Sequence, residues 1–440
     1  MAKKLSYAII LAMLAMSAAA CGNSNDSSEG SQPTESAEQT QGATESASAS
    51  NESAATDEEV KPESGAELKI WVDKTEKTFI EAVLPLYTAT YGVPVKIEDV
   101  NAPDQLGKLE TDGPAGVAGD VLMMPHDKLA QAASANLIMP NDLFEEETRA
   151  NALETAVQAS TYNGILYGYP ETIETYALLY NKDLIAEAPK TWEEVIAFAK
   201  TYNDPANKKY AIAWLHNLYF NNMFMQPYGG YVFGKDGTDP SDIGINNEGA
   251  IEGMKFYQSL YDIVPIKTTD MKFDIQTELF STGKLAMTID GPWSVGSYQG
   301  KVNLGVAPLP DLPGGKKSIS MAGVRSFYVN SYTKYPKAAK LLARFLITKE
   351  VQMKDFEMAH IIPANKEANN ESKIKDDPII SGFVEQFKNS IPMPSIPQIN
   401  NMWAPTDAAF ASIWDSKKDV KETMDKAVES IKQLNETVGQ

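Results

Sequence analysis

A single cysteine in 440 residues has no partner for an internal bridge, so a disulfide-built scaffold is excluded. The three histidines, His126, His216 and His360, stand far apart, with no HExxH pair and no cysteine cluster, and no metal site is expected. A GxxxxGK[ST] loop, a GxGxxG after a strand and a GxSxG elbow are all missing. Nothing marks a nucleophile, and neither a catalytic residue nor a cofactor is expected. Basic residues are outnumbered 39 to 59, and a formal charge of −20 repels phosphate, which argues against a nucleic-acid partner. Neutral or cationic ligands suit such a surface.

Long apolar runs are scarce as well. Residues 5–16 form one, broken only by Ser6, but a stable bilayer span needs roughly 20 residues. With Lys3 and Lys4 before it and Ser17-Ala18-Ala19-Ala20 after it, residues 1–20 read as a cleaved export signal. Cys21 follows directly, which resembles the lipobox of bacterial lipoproteins, where the thiol is acylated and becomes the mature N-terminus. The resemblance implies extracytoplasmic attachment to the cell membrane through lipid on Cys21. Residues 22–65 then hold ten serines, ten acids and one basic residue, Lys61. So little apolar surface does not offset the entropy of ordering, and residues 21–65 are expected to be a disordered, self-repelling tether. A serine-rich acidic tether fits a Gram-positive lipoprotein.

From Ala66 the pattern is α/β. Leu68-Lys69-Ile70-Trp71-Val72 reads as a strand, Phe79, Ile80, Val83, Leu84, Tyr87 and Tyr91 recur at helical spacing, and Gly92 can stop that helix. Val95 and Ile97 open a second strand, and residues 119–124 read as one buried on both faces, followed by a helical stretch over residues 126–135. This rhythm predicts an open parallel sheet with ligands beyond the carboxyl ends of its strands. Thr191-Trp192-Glu193-Glu194 is a capping box, residues 285–289 are a strand, and residues 339–346 and 420–434 are amphipathic helices. The 375 residues from Ala66 suit two lobes.

Six tryptophans and nineteen tyrosines are the chemistry most in view. Trp293 follows Asp290-Gly291-Pro292, Trp403 follows the proline-rich run ending at Gln398, and Tyr219 sits in His216-Asn217-Leu218-Tyr219-Phe220. An aromatic face suits the C–H face of a pyranose, and a nearby carboxylate accepts bonds from its hydroxyls, so sugar is the natural ligand class. Each aromatic taken alone is more often core, and composition leaves the ligand open. A pair such as Asp127 with Glu174 also leaves room for glycoside hydrolysis.

Several blocks carry a resemblance. Leu179-Tyr180-Asn181-Lys182-Asp183-Leu184, Pro189-Lys190-Thr191-Trp192-Glu193-Glu194, the run from Gly283 to Trp293, and Met393-Pro394-Ser395-Ile396-Pro397-Gln398 resemble the maltose/maltodextrin-binding proteins and their lipoprotein relatives, in order along nearly all of 66–440. The resemblance implies a two-lobe α/β fold of the periplasmic-binding-protein type, with a ligand cleft between lobes and a three-segment hinge near 173–177, 322–326 and 371–378. It places one lobe at 66–173 plus 326–371 and the other at 177–322 plus 378–440. It implies a monomer that binds maltose or maltodextrins and presents them to the membrane permease subunits of an ABC importer. By position it makes Asp127 and Glu174 hydroxyl acceptors, Tyr219, Trp293 and Trp403 stacking platforms, Met393 a packing contact, and Asp73 and Lys74 a polar pair after the first strand.

Departures stand beside these matches. Met124 replaces a stacking tryptophan, Lys128, itself a ligand-binding candidate, replaces an arginine, Asn217 replaces a glutamate, and Gly107 and Lys108 replace an acidic pair. Lysine lacks the bidentate fork and methionine is less planar, which implies weaker disaccharide binding and more reliance on longer α-glucans. Three readings follow: an importer's sugar receptor, a receptor for another oligosaccharide, and a secreted glycosidase.

Overall fold

The computed structural model of the chain describes residues 60–438. Cys21, the leader and the tether as far as residue 59 lie outside them. Residues 60–65, which composition assigns to the tether, are placed against the protein body. There the Glu63 carboxylate accepts the amide hydrogens of Lys337 (2.8 Å) and Ala338 (3.0 Å), an anion at the positive end of a helix that opens at Pro336.

Strand β1 (Leu68–Val72) leads into helix α1 (Lys77–Tyr91), which buries Phe79, Ile80, Val83, Leu84 and Tyr87. Gly92 ends it in a left-handed conformation, its amide bonded 2.8 Å to the Thr88 carbonyl. Strand β2 (Val95–Asp99) then pairs parallel with β1, as does β3 (Val121–Pro125). Sheets of this kind are covered on both faces, so β3 is buried along most of its length. Met123 packs with Ile70, Val83 and Phe327 on one side, and Met124 packs with Trp71, Leu106 and Leu129 on the other.

The chain continues through β4 (Tyr169–Thr175) and β5 (Ala177–Asn181) to α2 (Trp192–Tyr202), opened by the expected capping box of Thr191 and Glu194. Strand β6 (Tyr210–Ala213), α3 (Leu218–Met225), α4 (Phe273–Ser281), β7 (Leu285–Asp290) and β8 (Leu304–Ala307) follow. After them come β9 (Ser320–Asn330), α5 (Pro336–Leu346), α6 (Lys349–Ala359), β10 (Ser390–Pro392), α7 (Asn400–Ser416) and α8 (Val420–Val438).

Two main sheets result. The first has the order β10-β9-β3-β1-β2, with β4 and the short strand Ile138–Met139 also pairing with β9; the second has the order β8-β5-β7-β6. Neither is purely parallel, which corrects the expectation from the β-α-β-α rhythm. Strand β9 runs antiparallel to both β3 and β4, and β5 runs antiparallel to both β7 and β8. Tyr169, Phe327 and Val329 belong to the core of the first sheet, whereas Tyr176 and Met321 belong to that of the second. The polypeptide therefore passes from one core to the other along β4 and again along β9. Among the described residues no helix is long and apolar enough to cross a membrane.

Candidate functional site

Loops from the carboxyl ends of strands in both sheets converge on a cleft of about 600 Å³. From the first sheet, β1 delivers Asp73, β3 delivers Asp127 and Lys128, and β4 carries Glu174. From the second, β6 leads to Asn217 and Tyr219, and β7 leads to Trp293. Met393 and Trp403 close the lining. Chain reversal at strand ends leaves backbone and side chains free to face a ligand, which is why open α/β sheets bind there.

Local chemistry fixes each group. Asn217 caps α3 by accepting the Phe220 amide (3.1 Å), and Asp407 accepts the Leu218 amide (2.8 Å), which together set Tyr219. Tyr219 lies edge-on to Tyr176 with centroids 5.0 Å apart, and 6.1 Å from the ring of Trp293. Trp293 itself follows a buried aspartate: Asp290 accepts the amide of Gly291 (2.9 Å), the hydroxyl of Tyr298 (3.0 Å) and the side-chain amide of Gln276 (3.1 Å). Burial pushes its carboxyl up to about 6. Trp293 and Trp403 are partly exposed, while Trp71, Trp192, Trp214 and Trp414 are sealed in the cores. The indole nitrogen of Trp403 is buried with no hydrogen-bond acceptor among the described residues.

The polar side of the cleft is held as firmly. Asp73 accepts the amides of Thr75 (3.2 Å) and Ala102 (3.1 Å). The ammonium of Lys128 bridges Asp127 (2.9 Å) and the amide oxygen of Asn400 (3.0 Å) and lies 5.5 Å from the Trp403 ring centroid, so it spans from β3 to α7. His126 accepts the Val324 amide at Nδ1 (3.2 Å) and lies 3.3 Å from the Met393 carbonyl at Nε2; burial holds it below the ordinary histidine range. Burial also pushes the carboxyl of Glu174 up to about 7, with Glu76 and Asp73 acting in the same direction against Arg325. The Tyr219 phenol is likewise raised, by burial first and then by Glu174. Among the described residues, Glu76, Glu171 and Asp355 bring carboxylate oxygens within 4.8 Å of one another, and the positive charge beside them is Arg325.

Eight of the nine expected ligand-binding residues thus share one cleft. Lys74 does not line it: its side chain is 72% exposed and pairs with Asp274 on α4 at 3.2 Å. Met124 is the other correction. It does not stand in the cleft in place of a platform, because β3 is covered on both faces and position 124 turns into the core beside Trp71. Lys108, in the other noted departure, approaches the Trp71 ring to 5.1 Å and pairs with Asp112. Arg325, Phe273, Asn101 and Asp407 also line the cleft and were not expected from the sequence. For Arg325 a mark was present: it is one of three arginines in the chain, and it interrupts a strand whose eleven residues are all buried.

Comparison with known proteins agrees with this architecture. Residues 72–353 match the family described as bacterial extracellular solute-binding protein. The chain is 33% identical to a galactooligosaccharide-binding protein of Bacillus subtilis, over 98% of this chain and 97% of that one. It is 33% identical to a maltooligosaccharide ABC transporter solute-binding lipoprotein of Streptococcus pneumoniae, over 83% and 88% respectively. The structure of MalX from Streptococcus pneumoniae in complex with maltopentaose superposes with a TM-score of 0.77 at 32% identity, covering 83% of this chain and all of that one.

Proposed function

The chain belongs to the bacterial extracellular solute-binding proteins, and from that premise we propose that it captures maltodextrins for an ABC importer. One observation carries the reading: two partly exposed tryptophans and a tyrosine face ionisable and amide groups across a single cleft. Trp293, Trp403 and Tyr219 stack on pyranose faces. Asp127 and Glu174 accept hydroxyl hydrogens, while Lys128 donates from the rim of Trp403. Asp73 holds its loop in place beside the sugar, and Met393 packs against its apolar edge. Lys74 acts at the mouth of the cleft through Asp274.

Binding draws together a lobe of residues 66–173 plus 326–371 and a lobe of 177–322 plus 378–440, because only the closed form lets both sets of contacts form at once. The closed monomer is what the permease subunits recognise. Lipid on Cys21 would keep the protein at the outer face of the cell membrane, as the lipoprotein relative suggests. The family and the relatives are binding proteins of transport systems, and we place no hydrolytic step at Asp127 and Glu174.

A second reading has its own support, since the relative that matches along nearly the whole chain is named for galactooligosaccharide. Glucose and galactose differ in the orientation of one ring hydroxyl, which stacking tolerates and carboxylate acceptors do not. Isothermal titration with maltose, maltotriose, longer maltodextrins and galactooligosaccharides decides between them. The expected result is saturable binding of maltotriose and longer glucans with a tryptophan fluorescence change, reduced at least tenfold, about 1.4 kcal/mol, in Trp403→Ala. Binding of the galactooligosaccharide alone would overturn the glucan reading, and chain shortening seen by chromatography would overturn the assignment as a binder.

A further inference from the structure

Behind the cleft floor lies a cluster of four acids around one base. Glu76 at the start of α1, Glu171 and Glu174 on β4, and Asp355 on α6 surround one guanidinium, Arg325 on β9. Nε of Arg325 donates to Glu171 (2.6 Å), one terminal nitrogen donates to Glu76 (2.8 Å), and the other lies 3.4 Å from Glu174. The Arg325 side chain is 4% exposed and that of Glu174 is 12% exposed. One oxygen of Glu76, one of Glu171 and both of Asp355 are buried with no N–H or hydroxyl donor among the described residues, and Asp355 lies against the Glu76 carboxyl. A planar guanidinium, with five N–H donors in a fixed fork, faces Glu76, Glu171 and Glu174 from three of its nitrogens at once.

We propose that Arg325 is a positioning residue for sugar binding, acting through Glu174: its guanidinium, 3.4 Å from that carboxylate, holds it at the cleft floor. This rests on Glu174 being a hydroxyl acceptor for the bound sugar. The acids that oppose its ionisation are Glu76 and, from the loop after β1, Asp73; Glu171 is itself raised by Glu174, and Asp355 lies against Glu76 and Glu171. The Tyr219 phenol and Asp127 share the cleft with Glu174. Without the arginine, burial and the charges of Glu76 and Asp73 act on Glu174 without the cation nearest to it, so more of it is protonated at neutral pH and it accepts less well from a hydroxyl; Lys128, the other cation lining the cleft, stays paired with Asp127. In the protein as it stands, affinity therefore weakens as pH is lowered from 8 to 6.

The test is a double-mutant cycle on the full chain, with maltotriose as probe and titrations at pH 6, 7 and 9. Arg325→Met is expected to weaken binding at least tenfold at pH 7, to regain part of that loss at pH 9, and to change affinity less than twofold in a Glu174→Gln background. Should Arg325→Met not fold, Arg325→Lys keeps the charge without the fork and is expected to lose at least threefold in the same cycle. Equal losses with and without Glu174, or variants that bind as the parent does, overturn the proposal. If the parent binds no glucan, it is the ligand reading that has failed, and the cycle is read with the galactooligosaccharide.

Discussion

At the scale of single residues, burial decides which of this chain's many acids behave unusually. The Glu171 carboxyl is pushed up to about 8, first by burial and then by Glu76, with Arg325 opposing, and Asp355 is also raised, by burial first and then by Glu76 and Glu171. The unfolded chain releases its carboxyl protons near pH 4.5. Between that value and the folded one, the folded state holds more protons, so stability falls as pH rises toward 8. The buried histidines act oppositely. His216, bonded 2.9 Å to the Tyr257 hydroxyl, is driven down to about 3 by burial and favours folding only as pH rises through 6.5. Above pH 7 that contribution is nearly complete, which leaves the acids in control. Denaturant unfolding should show stability declining by about 1 kcal/mol from pH 7 to 8.5, and Glu171→Gln should flatten the decline. A parent whose stability is level or rising over that window would mean that these acids are ionised throughout.

The same scale shows why the site was partly legible. Tryptophans beside Gly-Pro or after a proline-rich run were expected to face a ligand; Trp293 and Trp403 line the cleft and are partly exposed, whereas Trp71, Trp192, Trp214 and Trp414 fill cores. Arg325 escaped notice because its meaning lies in Glu76, Glu171 and Asp355, which are distant in sequence and adjacent only after folding.

At the scale of elements, strands and helices with clear periodicity were readable, from β1 and α1 to the capping box of α2. The direction of pairing was not, since a strand's own residues do not say which neighbour it meets. Strand β9 is the instructive case: buried on both faces, it shows no alternation, and its register against β4 shifts between Arg325 and Ser326. Elements also fix the platform. Gly291, between β7 and Trp293, has an ordinary extended backbone, φ −111°, so its need for glycine is purely one of space. A Cβ built there would sit 2.1 Å from the Trp293 ring. Because the ring is partly exposed to the cleft, it has somewhere to go. Gly291→Ala should therefore weaken sugar binding about as much as Trp293→Ala, at least fivefold, while lowering stability by only about 1 kcal/mol. A loss above 3 kcal/mol with unchanged affinity would show that Trp293 is held for packing and not as a platform.

For the whole molecule, the question is what spans the two sides of the cleft. Two cationic bridges reach from loops of the first sheet to helices packed on the second, and they differ in kind. Lys128 is buried, paired with Asp127, bonded to Asn400 and set near Trp403, where removing it strands a buried carboxylate. Lys74 and Asp274 meet in the open, 72% and 77% exposed. Such a pair contributes at most about 1 kcal/mol, and salt screens it over a Debye length of about 8 Å at physiological strength. If Lys74 is a latch at the mouth, Lys74→Met should weaken maltotriose binding no more than about threefold at low salt, and the difference from the parent should vanish at 0.5 M salt. Asp274→Asn should reproduce both results, because each removes the same pair. Were Lys74 instead to swing inward and donate to the sugar, its loss would exceed tenfold, persist at high salt and find no parallel in Asp274→Asn. Titration of the two variants at both salt concentrations separates a rim contact from a ligand contact without a bound structure.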